Sequence, residues 1–182
     1  MHRTERTLET ARTWLVPFGP GDAVRLHEIF RHPDVRRYLL DGELVSLEWV
    51  SDEIDASRRS FEREGWGLWT VRPGPAREIA GFAGFRPFFD PPEVQLLYGL
   101  HPDWWGRGLA TEAASAVVSY AFDVLGFDEV RAATDRPNEA SIAVLERLGL
   151  TLTRASGDGP DGTLYFATDR RPPAVVGSGG VR

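Results

Sequence analysis

Apolar residues recur along this chain at two spacings, alternate positions in some stretches and helical steps in others, and the changes between them outline the elements. Residues 13–17 read as a strand, and Pro20-Gly21-Asp22 lead into a helix carrying Val24, Leu26, Ile29 and Phe30. A short helical turn is expected over 33–39. Ser46 stands where an N-cap is needed for a second helix, with Leu47, Val50, Ile54 and Phe61 at helical spacing behind it. Residues 66–72 and 78–86, around a Pro73-Gly74-Pro75 turn, read as a hairpin, and 94–100 as the next strand. Residues 107–125 follow as a long helix, with Ala110, Ala113, Ala114, Val117, Ala121 and Val124 on one face and Gly126 as its stop. A strand over 129–134, a helix over 138–148 closed by Gly149, and strands over 150–154 and 163–168 around a turn-rich 157–162 complete the pattern.

The order β-α-α-β-β-β-α-β-α-β-β describes an α+β domain, a mixed sheet with helices on its faces. Residues 1–9 are expected to be a mobile lead, 10–169 the domain, and 170–182, rich in Pro, Gly and Ser, a disordered tail. At 182 residues the chain suits one domain with a full core, and 42% hydrophobic residues are too many for a disordered one. The net charge of −6 and the lack of a basic cluster argue against duplex nucleic acid as a partner. With no long apolar run and no secretory h-region, a soluble, cytoplasmic protein with no membrane partner is expected, a monomer or homodimer. The absence of cysteine excludes disulfides and any cysteine acyl-enzyme.

The most informative stretch lies where the strand over 94–100 hands over to the long helix. Gly106, Gly108 and Ala110 take alternate positions there, leaving backbone N–H groups unobstructed at the positive end of a helix dipole, a seat for a phosphate or diphosphate. Leu109 and Ala110 follow Gly108 where a P-loop needs Lys and Ser or Thr, and the strand comes too late in the chain for a dinucleotide fingerprint. The same glycines also suit a tight turn with no ligand.

The run Leu100-His101-Pro102-Asp103-Trp104-Trp105-Gly106-Arg107-Gly108-Leu109-Ala110-Thr111-Glu112-Ala113 resembles the pyrophosphate-binding segment of the GNAT N-acetyltransferase superfamily. It is most similar to the branch with the ribosomal-protein N-terminal acetyltransferases of the RimJ/RimL type. Further on, Asn138-Glu139-Ala140-Ser141-Ile142-Ala143-Val144-Leu145-Glu146-Arg147-Leu148-Gly149-Leu150 is similar to that branch's second motif, and residues 9–18 to its first strand. The resemblance implies the GNAT fold, a mixed central sheet of about seven strands with about four flanking helices. It also implies a strand that splays at a bulge beside the cofactor. Acetyl-CoA is then the acyl-donor co-substrate, with no metal. It implies binding by Leu100, His101, Trp105, Gly106, Arg107, Gly108, Leu109, Ala110, Thr111, Asn138 and Ser141.

The reaction expected from the resemblance is direct acetyl transfer to a primary amine, on a protein or peptide N-terminus or on a small molecule. A catalytically silent acyl-CoA-binding regulatory domain is the alternative. The Leu100 N–H is the expected oxyanion donor, with Gly99 easing the bulge. Asn138 contacts the pantetheine arm by resemblance, and is equally an N-cap from its place at a helix start, with Ser141 its partner one turn on. Two departures follow. Leu145 stands where the wider superfamily often has a tyrosine that protonates the leaving thiolate, so that role passes to Ser141 or a water it holds. Gln95 stands where related sequences often have a glutamate, and glutamine accepts no proton at neutral pH. Glu93, His101 or a water path remain as the base, Glu93 being the candidate catalytic carboxylate. Phe88, Phe89 and Tyr38 are candidates for the edge of the acceptor pocket, while Trp66, Trp69, Phe82 and Phe85 are expected in the core.

Overall fold

The computed structural model describes residues 6–74, 78–157, 159, 162–169 and 171–172. Expectations for residues 1–5, Pro75, positions 158, 160 and 161 of the turn-rich loop, and the tail at 170 and from 173 concern residues outside this set. Five strands run in chain order as an antiparallel meander: β1 (Leu8–Glu9), β2 (Thr13–Pro17), β3 (Leu68–Pro73), β4 (Gly81–Phe88) and β5 (Glu93–Leu100). Three more, β6 (Val130–Asp135), β7 (Thr151–Ser156) and β8 (Thr163–Thr168), form a second antiparallel sheet in the order β6-β8-β7. β5 and β6 are close neighbours, yet no ladder joins them. The α+β class is as expected, and the expected opening lies between these two strands.

Helices α1 (Ala23–Arg31) and α3 (Leu47–Glu64) cover one face, with the short α2 (Pro33–Arg36) between them in the chain. Leu26, Ile29 and Phe30 of α1 and Val50 and Ile54 of α3 pack there with Phe82, and Leu97 of β5 joins them. Ser46 caps α3 as anticipated, its Oγ accepting from the Trp49 N–H at 3.0 Å. The other face carries α4 (Leu109–Tyr120), whose Ala113, Ala114, Val117 and Val118 lie against Leu96, Leu100, Val130 and Ala132. The alanines let this helix approach both sheets closely. α5 (Glu139–Arg147) packs beside it. Trp69, Phe82 and Phe85 are buried core residues, in line with their strand pattern.

Several details differ from the sequence pattern. Residues 6–9, within the expected mobile lead, are held in place: Leu8 pairs with Leu15, and the buried Trp69 indole satisfies its N–H on the Arg6 carbonyl at 2.7 Å. Val24, at 64% exposure, and Leu47 each lie in the first turn of their helix, outside the arc that meets the sheet. Val124 is 65% exposed because α4 passes into a π-turn at Ala121–Leu125, and the wider turn rotates Val124 off the buried face. α4 starts at Leu109 rather than Arg107, because Gly106 and Gly108 hold φ of +70° and +72°. The sheet also parts without a bulge in β5, where every residue from Glu93 to Leu100 keeps its partner on β4. Gly99 instead makes room for a ring: a Cβ there would lie 2.7 Å from Phe82. The one register shift among these ladders falls on β7, between Leu152 and Arg154.

Candidate active site

The opening between β5 and β6 presents backbone groups that no strand uses. The His101 amide donates to the Ala80 carbonyl at 2.8 Å, so His101 faces β4. Successive residues of a strand turn their N–H and C=O to opposite edges, so Leu100 faces away from β4. Its carbonyl accepts instead from Trp105 Nε1 at 2.7 Å. The Leu100 N–H therefore points into the opening, as do those of Tyr98 and Leu96 by the same alternation.

Beyond β5 the chain turns through a 3₁₀ segment, Pro102–Trp104, and reaches the loop. Gly106 has open space where a Cβ would stand, and Gly108 forms the N-cap of α4 in the left-handed region. A side chain at either would strain the backbone. The first-turn amides of α4 have no partner within the helix. Leu109 is buried, Ala110 and Thr111 are partly buried, and Trp105 stands half in solvent. Arg107 folds back on its own loop, its guanidinium donating to the Asp103 carbonyl at 2.9 Å and lying 5.1 Å over the Trp104 ring.

Sequence reading missed what holds this loop from beneath. Arg12 of the β1–β2 turn donates from Nη1 to the Arg107 carbonyl at 2.8 Å and from Nε to Glu112 Oε2 at 2.6 Å. The Arg12 amide and the Thr10 hydroxyl both donate to Glu112 Oε1, at 2.8 and 2.6 Å. Glu112 is 6% exposed. Burial alone would raise its carboxyl; the bonds from Thr10 and Arg12 and the Arg12 charge outweigh that and hold it below the usual carboxylate range. The available signal was an acidic residue on the apolar side of α4, which burial leaves tolerable only when it is paired.

Across the opening stands the start of α5. Asn138 Oδ1 accepts from the Ser141 N–H at 3.2 Å, which is the capping geometry, and leaves the Asn138 side-chain amide to donate elsewhere. The Ser141 hydroxyl lies 2.8 Å from the Tyr98 hydroxyl, which also donates to the Ser141 carbonyl at 3.1 Å. Burial pushes the Tyr98 phenol above the usual tyrosine range, and the bond to Ser141 offsets this only in part. Leu145 is buried in the core. Tyr38 reaches the same turn, its hydroxyl 3.5 Å from the Pro137 carbonyl.

The base candidates separate sharply. Glu93 begins β5 and pairs with Arg131 of β6 at 2.9 Å. Seven residues of strand at about 3.3 Å each put it roughly 23 Å from Leu100, so the expected carboxylate and the expected oxyanion donor stand at opposite ends of β5, out of reach of one reacting centre. His101 lies at the right end, with its ring 4.8 Å edge-on to that of His32 and Nδ1 3.3 Å from an Asp103 carboxylate oxygen. Gln95 shares the strand face of His101. It is 3% exposed, and among the described residues its Nε2 has no hydrogen-bond partner. Phe89, in the turn between β4 and β5, lies with its ring 6.0 Å from that of Tyr165 of β8 and tilted by 47°, bridging the two sheets.

The chain belongs to the GNAT acetyltransferase family: residues 12–151 match the profile described as "Acetyltransferase (GNAT) domain". It is 34% identical over 143 residues to the spermidine N(1)-acetyltransferase of Escherichia coli K12, covering 76% of this chain and 72% of that one. An acetyltransferase from Agrobacterium tumefaciens superposes with a TM-score of 0.76 at 26% identity, over 90% of this chain and 94% of the other. The fold is shared at 15% identity with RimL, the ribosomal L7/L12 alpha-N-protein acetyltransferase, in a structure with coenzyme A, at a TM-score of 0.75 over 90% and 98% of the two chains. The chain is thus an acyltransferase, and acetyl-CoA is its family's donor. Among the described residues no helix is long and apolar enough to cross a membrane.

Proposed function

We propose that the chain moves an acetyl group from acetyl-CoA directly to a primary amine within a ternary complex. The observation that carries this reading is the free edge of β5, which faces Ser141 across the opening and ends in the loop of Gly106 and Gly108. The loop fits a diphosphate: its glycines hold positive φ, and a Cβ at Gly106 would meet nothing within 4 Å. Amides of Gly106, Arg107, Gly108, Leu109 and Ala110, with the Thr111 hydroxyl, seat the diphosphate, and the dipole of α4 adds about 0.3–1 kcal/mol. Trp105 and His101 border the same path. The free amide of Asn138 donates to the pantetheine arm while its oxygen caps α5.

At the reacting carbon the Leu100 N–H donates to the carbonyl oxygen, an interaction worth about 100- to 1000-fold in rate when charge builds there. The amine nitrogen attacks, the C–S bond breaks with its electron pair going to sulfur, and Ser141 hydrogen-bonds the departing thiolate. The proton lost by the amine passes to water. No acyl-enzyme forms on cysteine, since the chain has none.

The acceptor is a polyamine-like small molecule or a protein or peptide N-terminus. Release of free CoA thiol is to be followed with spermidine, smaller amines and N-terminal peptides in parallel. The expected result is thiol release that depends on one amine class. Binding of acetyl-CoA with no transfer to any amine would replace this reading with a silent acyl-CoA-binding domain.

A further inference from the structure

Tyr98 does more in this structure than fill a strand position. Its neighbours on the same face, Leu96 and Leu100, are buried against α4, but its side chain crosses the opening and ends on α5. There it meets two oxygens of one residue, the Ser141 carbonyl at 3.1 Å and the Ser141 hydroxyl at 2.8 Å. A phenol has one proton, and a carbonyl only accepts. With the Tyr98 proton on the carbonyl, the second contact is the Ser141 Oγ–H donating to the phenol oxygen. The serine proton is thereby held at a set angle at the mouth of the gap, and its lone pairs stay free.

We infer that Tyr98 is a positioning residue for Ser141: its phenol holds the serine hydroxyl in the opening, then gives that hydroxyl a replacement hydrogen bond when the serine turns its proton to the departing sulfur. This rests on the transfer reaction proposed above. In that reaction the C–S electron pair goes to sulfur. The Ser141 proton swings from the phenol oxygen toward the thiolate, and the Tyr98 proton swings from the Ser141 carbonyl to Oγ. Neither oxygen loses its proton. The proton that finally neutralises the sulfur comes through water from the amine, which must shed one to become an amide. Burial keeps the phenol neutral throughout, so it remains a donor. Leu145 supplies no hydroxyl, and Ser141, about one turn earlier on the same helix, supplies one that Tyr98 holds from β5.

The test is a double-mutant cycle of Tyr98→Phe and Ser141→Ala in the full chain, read in kcat, in KM for acetyl-CoA and in affinity for CoA across pH. Tyr98→Phe removes one oxygen, and a melt checks that the fold is kept. The expected result is a loss of about tenfold in kcat, with KM for acetyl-CoA within about twofold. The double variant should be no slower than Ser141→Ala alone, because Tyr98 acts through that serine. Parent affinity for CoA should also rise with pH as the thiol ionises, and both single variants should flatten that rise. Losses that multiply independently, or a Tyr98→Phe enzyme equal to parent, would overturn the inference. A parent that binds CoA but acetylates no amine would end the functional reading alone, and the CoA arm would still decide the role of Tyr98. A parent that binds no CoA would overturn both.

Discussion

At the scale of single residues, Asn138 and Ser141 sit one turn apart at the start of α5 and have different tasks. Asn138 caps the helix, so Asn138→Ala should cost about 0.5–2 kcal/mol of stability and raise KM for acetyl-CoA. Ser141→Ala leaves the cap oxygen its backbone N–H, so its melting point should hold while kcat falls by about 100-fold or more. Melting curves and steady-state kinetics on the two variants check this split; equal activity of Ser141→Ala and parent across pH would remove Ser141 from the chemistry. The proton's exit is the second residue-scale question. Glu93→Gln should leave kcat near parent, because Glu93 is paired to Arg131 at the end of β5 far from Leu100. His101→Ala should stay near parent too if water takes the proton, and the rate should then follow the acceptor's own pKa. A loss of about 100-fold confined to His101→Ala would assign the base to His101.

Among the elements, the loop and the turn beneath it behave as one unit. Gly108→Val forces a β-branched residue to φ +72° and sets its side chain against the Arg12 guanidinium, 3.5 Å from where the Cβ begins. The strain should cost about 1–3 kcal/mol, and thermal stabilisation by acetyl-CoA should disappear. A variant that still gains the full shift would place the diphosphate elsewhere. The Arg12–Glu112 contact carries a pH signature. Glu112 is held below its ordinary value, so its contribution is complete above the unfolded pKa of about 4.3 and is lost as pH falls through the lowered folded value. Glu112→Gln should therefore destabilise the parent by about 1–3 kcal/mol at neutral pH and narrow the gap as pH drops below about 4. Denaturation midpoints measured from neutral pH down into the acid range give both numbers.

For the whole molecule, the proposed reaction requires the donor to span both sheets, from the loop on the β5 side to α5 on the β6 side. Acetyl-CoA at 100 times its Kd should stabilise the fold by about 2.7 kcal/mol, equivalent to roughly 2–4 °C per kcal/mol in Tm. An unchanged melt at millimolar acetyl-CoA would remove the donor from the proposal. Much of the scaffold for this was legible in the chain. The 3.6-residue repeat of α3, its Ser46 cap, the hairpin of β3 and β4 and the Gly149 stop after α5 all follow from interactions within a few residues, which periodicity and capping chemistry report directly. The Gly106–Gly108 signal belongs with them, since left-handed backbone is a local demand on residue type.

The sequence by itself thus determined most of the segments that become helix and strand, most of the faces that turn inward, and where the Gly106–Gly108 turn falls. Only the tertiary structure decided what stands opposite what. The sheet opens by the lack of a β5–β6 ladder rather than by a bulge, a fact about two strands separated by an entire helix. Thr10 and Arg12 find Glu112, and Tyr98 finds Ser141, across long stretches of chain. Glu93 looks near Leu100 in sequence, but an extended strand carries it away. Local spacing encodes direction along one element; the distance between elements comes from register and packing, which bring together residues that no short-range pattern connects.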